Sequence, residues 1–109
     1  MSKNMFVEGE VEIKVKDRSA VGLDDHEMKL WIQRSFKGGC CYRIANFAKV
    51  EDRVVRATVA LNTSVLPPTE RELLESRPDD IGAMRSFIEG MFEGKGVCRC
   101  VGETKLRAN

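Results

Sequence analysis

The chain has 109 residues, of which 42% are hydrophobic and 32% charged, with a net charge of +1. That length fits one domain over residues 1–109, and the composition is that of a globular chain, not a disordered one. No apolar run is long enough to cross a membrane, and the opening "MSKNMFVEGEVE" has no apolar stretch followed by small residues. A membrane span and a secretory signal are therefore not expected, and a cytoplasmic location is.

The first element is carried by "FVEGEVEIKVK". Val7, Val11, Ile13 and Val15 occupy odd positions with Gly9, while Glu8, Glu10, Glu12, Lys14 and Lys16 occupy even ones. This period-two alternation predicts a strand with one buried and one solvated face. In "LDDHEMKLWIQRSFKGG", Asp24 and Glu27 have the spacing of a capping box, and Leu23 and Met28 that of a hydrophobic staple. Met28, Trp31, Ile32 and Phe36 then share a helical face, and Gly38 can take the left-handed conformation that stops a helix.

"CCYRIANFAKV" and "VVRATVAL" follow, joined by the short polar link "EDR", and read as a hairpin. The irregular run around "ANF" predicts a bulge in the first of these strands. The loop "NTSVLPP" exposes apolar side chains in a stiff segment. Thr69 and Glu72 have capping-box spacing at the start of "TERELLESR", and Pro78 interrupts helical geometry. A helix then runs through "DDIGAMRSFIEGMFEG", with Asp79 and Asp80 at its positive end. "VCRCVGETKL" reads as the last strand.

The order β-α-β-β-α-β predicts an α+β domain, packed as a split-βαβ, ferredoxin-like sandwich. A four-stranded antiparallel sheet would carry helices on one face and leave the other open. The expected core contains Val11, Ile13, Trp31, Ile32, Val59, Met84 and Ile88.

Four cysteines, Cys40, Cys41, Cys98 and Cys100, invite a metal-site reading. Zinc turns commonly use C-x-x-C spacing, whereas adjacent strand residues point to opposite faces. In the expected sheet the two cysteine pairs lie on opposite edges, ~14 Å apart, too far for a shared ion or a disulfide. Packing is the better account, and neither a metal nor a cofactor is expected. His26, the only histidine, falls in the solvated first turn of a helix, without a partner for catalysis. The aspartate pairs stand where they stabilise helix dipoles. No nucleophile elbow or phosphate loop is present, so an enzyme is not expected.

Charge is uneven along the chain. Residues 29–56 carry seven Lys/Arg against two Asp/Glu, and the segments on either side, 1–28 and 57–93, are acidic. The basic block with Tyr42 and Phe47 makes nucleic-acid binding the alternative function. Against it, the third strand has no aromatic residue, and Glu8, Glu10 and Glu12 would line the open face and repel phosphates. Pairing of the first and third strands would let Arg56 meet one of those glutamates. The favoured function is a non-enzymatic protein-binding module, a small adaptor or inhibitor that docks on a larger protein or protein complex. Compact domains of this size without motifs are typical of viral proteins that inhibit host complexes, by analogy. The expected contacts are Arg43, Lys49, Arg53 and Arg56, with Leu66 from the proline-rich loop. Leu30 and Val54 are further apolar side chains expected at the surface.

Overall fold

The computed structural model describes residues 5–108. Its elements are β1 (Met5–Val15), α1 (Asp25–Arg34), β2 (Cys41–Glu51), β3 (Val54–Asn62), α2 (Pro68–Glu75), α3 (Ile81–Met91) and β4 (Gly96–Ala108). The four strands form one antiparallel sheet in the order β2-β3-β1-β4. The most regularly alternating strand, β1, lies inside the sheet, and β2 and β4 form its edges. The helical segment "TERELLESR" and the one after Pro78 are separate helices, so the described residues hold three α-helices in an α+β fold.

The alternation of β1 is realised in full. Val7, Val11, Ile13 and Val15 are buried, as are Val55, Ala57, Val59 and Leu61 of β3, which lie opposite them. Met28 and Ile32 of α1, Leu74 of α2, and Met84, Phe87 and Ile88 of α3 complete the same cluster. Gly9 sits where α3 comes closest to the sheet. A Cβ there would lie 2.8 Å from Ile88 Cδ1, so an added methyl group would have to displace the tip of that side chain. Trp31 departs from expectation: it is half-buried and packs against the core from its rim. Its ring stands edge-on to Phe92, at 6.1 Å between centroids. Helical spacing gave the face correctly, but Met28 and Ile32 take the buried centre of the stripe and Trp31 is only partly covered.

The α1 cap forms as predicted. The Asp24 carboxylate accepts from the Glu27 amide at 2.8 Å, and the Glu27 carboxylate accepts from the Asp24 amide at 3.4 Å. The C-terminal end differs, because the helix stops at Arg34, before the glycines. The Ser35 hydroxyl donates to the Trp31 carbonyl at 2.7 Å, and Phe36 turns extended to bridge Phe92. Gly38, at φ 61°, does adopt the left-handed conformation, but it steers the chain into β2. The expected Thr69–Glu72 capping box is absent. Helix α2 opens on Pro68 after Pro67 with no side-chain cap, so Thr69 is already inside the helix. In α3 the Asp80 carboxylate accepts from the Ala83 amide at 3.0 Å.

The bulge expected near "ANF" occurs between Ala45 and Ala48, with Asn46 at φ 52°. It decides where the basic side chains point. Before it, Arg43 lies opposite Ala60 and Ala45 opposite Thr58, on the open face. After it, Ala48 lies opposite Arg56 while Lys49 lies opposite core residue Val55. Lys49 is thus on the other side of the sheet from Arg43 and Arg56.

Candidate functional site

The open face is a charge lattice built on β1. Glu12 accepts from Arg56 Nε at 3.0 Å and lies within 3.0 Å of its terminal nitrogen, in direct cross-strand register. Glu8 is flanked by two arginines, with Arg107 Nη1 at 3.1 Å and Arg43 Nη2 at 3.7 Å. Its side chain keeps only 15% exposure, against 59% for Arg43. These carboxylates are therefore held by neighbouring cations, as expected for Arg56. Beside Glu8, Tyr42 stacks on Phe6 at 5.0 Å between centroids. Phe6, on the nominally wet side of β1, is buried by this contact. Further along, Glu10 and Glu103 border one hollow with Asn46, Thr58 and Lys105.

The five residues expected to contact a partner do not form one patch. Arg43 stands near the start of β2 and Lys49 near its far end, roughly 20 Å away by strand rise, with Arg53 in the link beyond it. Arg53 is exposed in the hairpin link, and its carbonyl accepts from the Val15 amide at 2.7 Å, which ties the hairpin tip to the end of β1. Arg56 follows on the open face. Lys49, Arg53 and Arg56 thus all lie towards the hairpin tip, Lys49 and Arg56 on opposite faces of the sheet, with exposed Glu51 and Asp52 in the sequence between them.

Leu66 lies apart from all four. It is half-buried against the core and lines a hollow of about 360 Å³ between α2 and α3 with Leu73, Leu74 and Phe87. The short turn Thr63–Val65 tucks it inward: the Asn62 carboxamide accepts from the Ser64 amide, and buried Thr63 donates to Glu75 at 2.8 Å. Leu30 is exposed on α1 and Val54 is half-buried opposite Lys14, so the three apolar side chains expected at the surface do not converge.

Tyr42 and Arg43 also border a hollow between α1 and the start of β2. It has a volume of about 280 Å³ and lies against α1, where His26, Lys29, Leu30 and Gln33 face Ile44. The Lys29 ammonium stands 5.6 Å from the Phe47 ring centroid, which fixes it at the groove. Residue order alone could not reveal this juxtaposition of α1 with the β2 edge. The available signal was the helical spacing of Lys29, Leu30 and Gln33 away from the Met28–Ile32 stripe.

The cysteines are free thiols, buried at Cys40, Cys41 and Cys98 and half-buried at Cys100. Burial is the main cause that pushes Cys41 and Cys98 up to about 12 and Cys40 and Cys100 up to about 11. Such thiols are poor nucleophiles. Among the described residues no three His, Cys, Asp or Glu side chains are grouped to hold a metal ion, and no helix is long and apolar enough to cross a membrane. His26 is exposed in the first turn of α1.

No protein-family model matches the chain, and no curated protein or solved structure matches it either.

Proposed function

We propose that the protein is a non-enzymatic docking module, a small adaptor or inhibitor that acts on a larger protein complex in the cytoplasm, in the manner of viral proteins that inhibit a host assembly. We also propose that its sheet and helices form a split-βαβ, ferredoxin-like sandwich, because β2 and β4 are the edges and helices connect β1 to β2 and β3 to β4.

The observation that carries the docking function is the character of the β2 edge. Seven of its eleven residues are exposed, yet three register shifts break its pairing with β3. An edge so interrupted is a poor template for strand addition and presents side chains instead. At its end, Lys49 and Arg53 are exposed cations without a salt bridge among the described residues. Arginine is enriched in protein interfaces and pairs in two-pronged fashion with carboxylates.

The alternative, nucleic-acid binding, draws support from Tyr42, 63% exposed beside Arg43 on a sheet surface where a base could stack. The carboxylates Glu8, Glu10, Glu12 and Glu103 interrupt any phosphate path across that face. Affinity capture from the native cell, with and without nuclease, separates the two. Partners that survive nuclease support docking on protein, and partners that disappear with it support the alternative.

A further inference from the structure

We infer that the groove between α1 and the start of β2 is a docking site for an acidic peptide segment that carries a large apolar side chain next to its carboxylate. The inference rests on the docking function proposed above and names the chemistry of one contact.

Charge is the first argument. Lys29 and Arg43 border the groove from opposite walls, and no carboxylate lines it. On the open face, by contrast, Arg56 and Arg107 each lie within 3.1 Å of a glutamate of β1. The Arg43 guanidinium makes no hydrogen bond among the described residues, and its one ion pair, with Glu8, is long at 3.7 Å. Its donors remain available for a bidentate contact with an incoming carboxylate. Lys29, 5.6 Å from the Phe47 ring centroid, offers a second cation at the groove.

Apolar surface is the second argument. Leu30 and Tyr42 are among the large hydrophobic side chains that stand exposed, and both face this groove. Tyrosine and arginine side by side form a typical anchor of protein interfaces. The volume of about 280 Å³ suits one side chain and a short length of backbone, not a folded domain.

The backbone of β2 fixes the mode of binding. Gln33 Nε2 donates to the Cys41 carbonyl at 3.1 Å, so this part of the outer edge is already capped. The register shift between Cys41 and Arg43 falls at Tyr42, which stays exposed. The peptide is therefore held by side chains and does not extend the sheet. A nucleic acid fits less well, because the Arg43 guanidinium reaches to within 3.7 Å of Glu8 on β1, and a phosphate drawn to Arg43 from the open face would meet that carboxylate.

A random heptapeptide library displayed on phage, selected against the full chain, tests this. The expected result is enrichment of peptides with one or two Asp or Glu residues beside Leu, Phe, Trp or Met. Their binding should fall at least tenfold in the double variant Lys29→Glu with Arg43→Glu. It should fall less, but measurably, in Lys29→Gln with Arg43→Gln, which leaves no reversed charge to perturb the fold. Arg77→Glu, between α2 and α3, should stay within twofold of the parent. Enrichment of peptides without acids, no enrichment, or unchanged binding by both double variants would overturn the site. Displacement of the peptides by twelve-residue oligothymidylate would assign the groove to nucleic acid. A native protein partner that depends on Lys49 and Arg53 but not on Lys29 and Arg43 would overturn this groove and leave the docking function standing.

Discussion

Single residues carry the sharpest chemical expectations. The buried thiols should be nearly inert: with values of about 11 for Cys40 and Cys100, only about one such thiol in a thousand is ionised at pH 8. Disulfide-exchange reagents should label Cys100 slowly and the other three only on unfolding. Fast labelling of all four in the native protein would show that the sheet does not enclose them. The same burial makes stability sensitive to alkali. The folded chain holds these protons above the ordinary value of 9.0, where the unfolded chain releases them. Stability from the thiols is therefore complete below about pH 9 and is lost as pH rises towards 12. Urea unfolding midpoints should fall between pH 8 and pH 10.5, and replacing Cys41 and Cys98 by Ala should flatten that slope. Trp31 gives a second test. As a half-buried residue on the rim of the core, its replacement by Ala should cost about 2 kcal/mol, below the 3–5 typical of enclosed aromatics. Its fluorescence should shift to the red on unfolding, by less than a fully enclosed indole would.

Elements were legible in the sequence where a local signal repeats. The odd-even alternation of β1 predicts both its buried face and its glutamates, and three carboxylates on alternate residues leave little doubt about direction. Asp24 and Glu27 mark the start of α1 because capping depends only on neighbours three residues apart. Asp24→Ala should lower stability by about 1 kcal/mol, read as a shift in the thermal midpoint. A neutral result would mean that the first turn of α1 is held by packing of Met28 alone. The end of α1 was not legible, since it depends on Phe36 pairing with Phe92, more than fifty residues away. The bulge in β2 was visible as irregularity, but its effect was not. That Lys49 faces away from Arg43 follows from the register against β3, which no local pattern records. Leu66 was misplaced for a similar reason: two prolines suggest an exposed loop, yet the turn at Thr63 folds it inward.

At the scale of the whole molecule, the asymmetric charge blocks become a specific geometry. The acidic first strand is interior to the sheet and is flanked by cations from β2, β3 and β4, which explains most of the neutral balance. Among the described residues, Lys29 in the groove against α1 and Lys49 and Arg53 at the hairpin tip are exposed cations without a salt bridge. Protein docking through such sites should weaken only moderately with salt, because fewer counterions are released than when several phosphates are neutralised. Arg56 serves the fold through Glu12, so its charge reversal would place like charges face to face and confound a binding test. Lys49 and Arg53 are free of that difficulty. The most direct measurement is the dissociation constant of the captured partner for the parent chain and for Lys49→Glu with Arg53→Glu, at low and physiological salt. Weakening by more than tenfold, about 1.4 kcal/mol or more, with an unchanged thermal midpoint and a shallow salt dependence is the predicted result. Unchanged affinity, or a steep salt dependence together with binding of bare DNA or RNA at physiological salt, would contradict it.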